Sequence, residues 1–91
     1  MEHRLLRYFV VVAEELHFGR AAERLHLAQQ PLSAAIKRLE TRLGVQLLER
    51  TSRRVALTPA GKVYLEAAQD ILHRTAAAAE AARRAARGQR G

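Results

Sequence analysis

The chain has 91 residues, no cysteine and a formal net charge of +7. That length suffices for one small domain and leaves no room for a catalytic core with a second lobe, and the lack of cysteine excludes disulfide staples and thiolate metal sites. Stability must then come from helix packing or from oligomerisation.

Residues 8–13 form the longest apolar run, far shorter than the roughly 20 residues that span a bilayer. Glu2, Arg4 and Arg7 precede it without the separate apolar core and cleavage site of a signal peptide. No membrane association and a cytoplasmic, nucleoid-associated location are expected. Leu5, Phe9, Val12, Ala13 and Leu16 recur at i, i+4, i+7, i+8 and i+11, the stripe of an amphipathic scaffold helix over residues 3–16. His17, Phe18 and Gly19 break that helix, with Gly19 able to end one helix and open the next and Phe18 serving as a core plug. A second helix over residues 20–26 turns Ala21, Ala22 and Leu25 inward, and its alanines permit close approach of another helix. A short turn and a third helix follow, the arrangement of a helix-turn-helix.

The third helix runs from Gln29 or Gln30 to Leu43, with Pro31 tolerated in its first turn and Gly44 as its stop. Leu32, Ala35, Ile36, Leu39 and Leu43 form its apolar face. Gln30, Ser33, Ala34, Lys37 and Arg38 look the other way. In a helix-turn-helix the N-terminal part of this helix enters the major groove, where amides pair with adenine edges and Lys or Arg with guanine or phosphate. Residues 46–49 and 55–58 then read as the two strands of a wing whose tip carries Arg50, Arg53 and Arg54. Such a tip tracks the neighbouring minor groove or the phosphates; the bland alternative is a plain charged turn.

Thr58-Pro59 is a helix start, a hydroxyl N-cap before proline at the first helical position. The fourth helix is expected over residues 59–87, with Gly88 as its stop and residues 88–91 as a disordered tail. Leu65, Leu72, Ala79 and Ala86 repeat every seven residues, with Ala68, Thr75 and Ala82 at the complementary heptad spacing. Pairing with the same helix of a second subunit through Leu65, Ala68, Leu72, Thr75 and Ala79 is the expected use of that stripe. An Ala-rich linker exposed to solvent beyond Thr75 is the other reading of its outer half.

Charge sharpens the pattern. Lys37, Arg38, Arg42, Arg50, Arg53, Arg54 and Lys62, set against Glu40 and Glu49, put +5 of the net +7 within residues 37–62. A positive cluster that coincides with a helical pair is the electrostatic footprint of a polyphosphate partner.

The segments AAERLHLAQQPLS, IKRLETRLGVQLLER and LTPAG, in this order and at these places, make the chain resemble the N-terminal DNA-binding domain and linker helix of a LysR-type transcriptional regulator over residues 1–87. The resemblance implies a mainly α fold. A winged helix-turn-helix, a three-helix head with a two-stranded wing over residues 1–58, would be followed by a long helix forming an antiparallel dimer arm. It implies that Gln29, Gln30, Pro31, Ser33, Ala34 and Lys37 occupy base and backbone positions and that Arg53 or Arg54 occupies the wing position. Double-stranded DNA carrying an interrupted palindrome is the implied partner, with no cofactor and no metal. A homodimer through the linker helix, and a tetramer in a full-length protein, are the implied assemblies.

The sequence departs from the family pattern at four places. Residue 34, usually arginine, is Ala34, and residue 35, often glutamine, is Ala35, so Lys37, Arg38 and the wing must carry more of the affinity. Gln30 stands where proline or a small residue is common. Ala28 replaces a frequent serine cap, at a cost of roughly 1 kcal/mol. Family members continue into a two-lobed effector domain, so the sequence reads as a DNA-binding fragment without a small-molecule effector site of its own, with a naturally short regulator as the other case. Regulators of aromatic-compound catabolism are the members it most resembles.

Catalysis is disfavoured, because His3, His17, His26 and His73 have no metal-ligand spacing, Asp70 is the sole aspartate and no Gly-rich phosphate loop is present. The stronger rival is a basic helical interaction module whose Arg- and Ala-rich tail pairs with a partner helix or lies on anionic lipid.

Overall fold

Six elements follow one another in a computed structural model that describes residues 2–88. They are α1 (Glu2–Glu15), α2 (Phe18–Leu25), α3 (Gln29–Leu43), β1 (Leu48–Arg50), β2 (Val55–Leu57) and α4 (Pro59–Gly88). The mainly helical winged architecture matches the expectation. Residues 89–91 of the expected tail lie outside the described residues, and Gly88 is helical.

The core is built where the apolar stripes meet. Phe9 and Val12 of α1, Leu32 and Ile36 of α3, Leu47 just before the wing and Leu48 of β1 are its largest fully buried side chains. Burying each such group is worth about 1.5–3 kcal/mol. Because α1 packs on α2, α3 and α4 at once, Val10 and Val11, off the predicted stripe, are buried too. The Phe9 and Tyr64 rings meet edge to face at 5.4 Å and fasten α4 to α1.

Helix ends depart from the sequence expectation for local reasons. Leu16, predicted as the last residue of the buried stripe, is 40% exposed, since it leaves the helix in a left-handed conformation at φ 50° while its N–H still bonds to the Val12 carbonyl at 2.7 Å. His17 then caps α2, its Nδ1 accepting the Arg20 N–H at 2.9 Å, so α2 starts at Phe18 instead of Arg20 and Gly19 sits inside it. His26 closes α2 in the left-handed region at φ 56° and lies outside the helix; the Leu27 N–H bonds back to the Ala22 carbonyl at 2.9 Å. Arg20 reaches Glu15 at 3.2 Å, and Arg24 reaches Glu14 at 3.0 Å and Glu15 at 3.1 Å, which ties α2 to α1. Hydrogen bonds to Glu14, and next to Glu15, hold the Arg24 guanidinium above its ordinary pKa. Leu43, predicted as buried, is 42% exposed, because it is the last residue of α3 and the chain turns away at left-handed Gly44.

The wing and α4 meet at a crowded point. The Thr58 hydroxyl accepts the Gly61 N–H at 2.9 Å, the predicted N-cap, and donates to the Gln46 carbonyl at 2.7 Å. Its N–H bonds to the Leu47 carbonyl at 3.0 Å. A Cβ on Gly61 would lie 2.1 Å from that same carbonyl oxygen, so only glycine fits. The strands are 48–50 and 55–57 instead of 46–49 and 55–58, paired with Leu48 opposite Leu57 and Arg50 opposite Val55. Gln46 and Leu47 are held by Thr58 and do not extend the ladder.

Two stability predictions follow from these contacts. Gly61→Ala should cost about 1–3 kcal/mol, because backbone and not a side-chain tip must move; a denaturant titration measures it. Ala28, the N-cap of α3, makes no side-chain hydrogen bond although its backbone is extended at φ −73° and ψ 154°. Ala28→Ser should therefore add about 1 kcal/mol in the same titration.

Candidate nucleic-acid interface

Helix α3 presents two unlike faces. Leu32, Ala35, Ile36 and Leu39 are buried, whereas Gln29, Gln30, Pro31, Ala34, Lys37 and Arg38 are exposed and Ser33 is half-buried. The fold thus leaves the predicted reading residues together on one accessible surface. No side chain caps the first turn and Pro31 has no N–H, so the helix tip is a blunt platform of two amides. Ala34 keeps the middle of the face low: with Lys37, Arg38, Thr41 and Arg42 it lines a shallow depression of about 470 Å³.

The wing tip is ordered by Thr51. Its N–H bonds to the Arg54 carbonyl at 2.9 Å, and its hydroxyl accepts the N–H groups of Arg53 and Arg54 at 3.2 and 3.1 Å. Arg53 and Arg54 are exposed, and among the described residues neither is paired with a carboxylate. By contrast, Arg20 and Arg24 are engaged by α1, as described above.

Arg50 is placed differently from its neighbours. Its side chain is 23% exposed, with Nη1 donating to Ser33 Oγ at 2.9 Å and Nη2 lying 3.7 Å from Glu40 Oε1. Its Cζ stands 4.6 Å from the centre of the Phe18 ring. Glu40 in turn accepts the N–H groups of Leu47 and Leu48 at 2.8 and 3.1 Å. Expected as a third arginine at the DNA surface, Arg50 is instead turned inward, joining α2, α3 and β1. Sequence reasoning missed this partnership, counting Glu40 only as a subtraction from the basic stretch and Phe18 only as core. The available signal was an acid one helical turn from the end of α3, within the most basic segment of the chain. Arg4, from the charge-balanced N-terminal third, lines an open cleft of about 260 Å³ beside α3 with Tyr8, Pro31 and Arg38.

On α4 the predicted pairing stripe is divided. Ala68 is 1% exposed within this chain's own fold, and Leu65 is half-buried against the core cluster, so the head already covers them. Leu72 is half-buried, while Thr75 and Ala79 are exposed. Leu72 also lines an open groove with Val10, Glu14, Gln69, Asp70 and His73. Among the described residues no group of three or more His, Asp or Glu side chains could hold a metal ion, and no helix is long and apolar enough to cross a membrane.

Residues 3–62 match the model of the bacterial regulatory helix-turn-helix protein, lysR family. The whole chain is 52% identical to the HTH-type transcriptional regulator AlsR of Bacillus subtilis strain 168 and spans 30% of that protein's length. It is 53% identical to the HTH-type transcriptional regulator BudR of Klebsiella aerogenes, spanning 64% of it. Among solved structures, 94% of the chain is similar to 97% of the BenM DBD in a complex with catB site 1 DNA, at a TM-score of 0.91 and 46% identity. The CbnR DBD in its DNA complex is similar over 94% of this chain and 99% of that one, at a TM-score of 0.89 and 44% identity. With two thirds of its length inside the family model and the same fold along nearly all of it, the chain belongs to the lysR family of bacterial regulatory helix-turn-helix proteins.

Proposed function

We propose that the chain binds double-stranded DNA sequence-specifically, with α3 in the major groove and the wing arginines on the adjoining minor groove or backbone, as part of a bacterial transcriptional regulator acting in the cytoplasm. The observation that carries this reading is the hydrogen bond from Arg50 to Ser33, which stands the basic wing beside the exposed face of α3. Reading helix and wing thereby form one surface. The DNA complexes formed by the similar BenM and CbnR domains support it.

Each exposed residue has a chemical role in this reading. Gln29 and Gln30 offer paired donor and acceptor atoms to an adenine edge, and Lys37 and Arg38 reach guanine or phosphate. Ala34 and Pro31 supply apolar contact, the former suited to a thymine methyl. Arg53 and Arg54, on an ordered tip and without carboxylate partners, neutralise phosphates or enter a narrow minor groove. No catalytic step is assigned to the chain.

A homodimer completes the reading. Among the described residues the outer part of α4 is exposed, and half-buried Leu72 with exposed Thr75 and Ala79 continues the heptad stripe beside Ile71, which is 44% exposed. A second copy of α4 would cover them. Two-fold symmetry then requires two half-sites related by a dyad.

Selection of duplexes from a random library, followed by salt titration on the selected duplex and a scrambled control, tests the reading. An interrupted palindrome bound about 10³-fold or more tighter than the control is expected. Equal, steeply salt-dependent binding to both would leave a basic interaction module. Arg53→Ala should weaken binding to both duplexes and reduce the salt slope by about 1, whereas Gln30→Ala should cost about 1–3 kcal/mol on the selected duplex alone. Leu72→Glu should convert the dimer to a monomer in sedimentation velocity; an unchanged dimer places the interface elsewhere.

A further inference from the structure

Arg50 is held by charged and polar contacts beside the reading face. Its Nη1 donates to Ser33 Oγ at 2.9 Å, while its Nη2 is buried without a hydrogen-bond partner and faces Glu40 Oε1 at 3.7 Å. Glu40 cannot swing closer without giving up the Leu47 and Leu48 amides that its other oxygen holds. The guanidinium is thus fixed on three sides, by Glu40, by the Phe18 ring and by Ser33.

A serine hydroxyl has one hydrogen and two acceptor lone pairs. With a guanidinium donating into one lone pair, the hydrogen cannot point toward Arg50 and must be directed away from it, and the charged donor polarises the O–H bond. Ser33 lies on α3 between the Gln29–Gln30 tip and Lys37, half-open to the surface. We propose that Arg50 is a positioning residue: it holds Ser33 as a hydrogen-bond donor toward an acceptor atom of DNA and fixes the wing at its distance from α3, and it makes no phosphate contact itself. The inference rests on the DNA-binding reading above and adds which side chain acts through which.

The test compares Arg50→Lys, Arg50→Met, Ser33→Ala and the double variant Ser33→Ala/Arg50→Met in salt titrations on the selected duplex and the scrambled control. Lysine keeps the charge and loses the planar fork, so Arg50→Lys should weaken binding to the selected duplex about tenfold with the salt slope unchanged. The double variant should bind within about twofold of the weaker single variant, because both substitutions remove one shared interaction. Ser33→Ala keeps helix propensity, and a denaturant titration of the same variant separates a loss of binding from a loss of folding. A Ser33→Ala loss confined to the selected duplex identifies a base-edge acceptor; an equal loss on both identifies a phosphate oxygen; either supports the proposal.

Wild-type binding by Arg50→Lys together with a salt slope reduced by about 1 in Arg50→Met would instead make Arg50 a phosphate contact and overturn it. Multiplying losses in the double variant would overturn the coupling to Ser33. Amide exchange across residues 48–57 without DNA separates this from failure of the DNA reading. If the unsubstituted chain binds both duplexes alike, faster exchange there in Arg50→Lys still supports the clamp on the wing, and unchanged exchange overturns it.

Discussion

The residue on which the architecture turns is Leu47. Its side chain is buried at 1% exposure, its N–H is taken by Glu40 of α3, its carbonyl accepts the Thr58 N–H, and the Gly61 backbone of α4 lies against that carbonyl. Within one residue the reading helix, the wing and the long helix are brought to a common point. The two hydrogen bonds satisfy backbone groups of Leu47 that would otherwise be left unpaired, at a penalty of about 1–3 kcal/mol each. The wing has only three residues per strand, and an isolated hairpin of that size is marginal in water. It holds its place because its first strand continues directly from this anchored segment.

That dependence explains how much was legible in the sequence. Features fixed by local chemistry were readable: the Thr58-Pro59 helix start, the Gly44 stop and the apolar face of α3 from Leu32 to Leu39 all follow from spacing, proline and glycine. Features fixed by tertiary contact were not. Nothing in one dimension says that His17 would cap α2, that Leu16 would leave the core in a left-handed turn, or that Gly61 must be glycine because Leu47, fourteen residues earlier, packs against it. Leu65 and Ala68 fit a heptad, and the periodicity is real, but the same stripe serves two partners in succession. Its N-terminal part lies on this chain's own head, and only its continuation is left open.

The arginines show the same division between composition and placement. A count of charges finds seven basic residues in the middle segment and treats them alike. The fold sorts them. Lys37, Arg38, Arg53 and Arg54 stand exposed, and in the proposed reading they would release counterions on meeting phosphates, the sequence-independent part of DNA affinity. Arg50 is placed in a position where its charge is screened by Glu40 and its geometry is used, and at such a site arginine is not replaceable by lysine. In the proposed reading the candidate interface would separate affinity from register, with the exposed cations supplying the first and the guanidinium held inside the head setting the second.

Helix α4 carries this logic away from the head. Thirty residues at 1.5 Å rise make a rod of about 45 Å, the greater part of the 59 Å long dimension of the molecule. Past Leu72 its residues are exposed except for half-buried Glu80, which gathers Arg83, Arg84 and Arg87 at 3.3 to 3.7 Å. Such surface pairs add only about 0.3–0.5 kcal/mol each, and alanine contributes propensity without much apolar area. The rod is thus helical by local preference and anchored at one end by Phe9, Tyr64 and the Leu47 junction. A partner covering its open stripe would inherit an orientation already fixed by those contacts. In the proposed dimer the packing around Gly61 would then help to set the spacing between the two copies of α3.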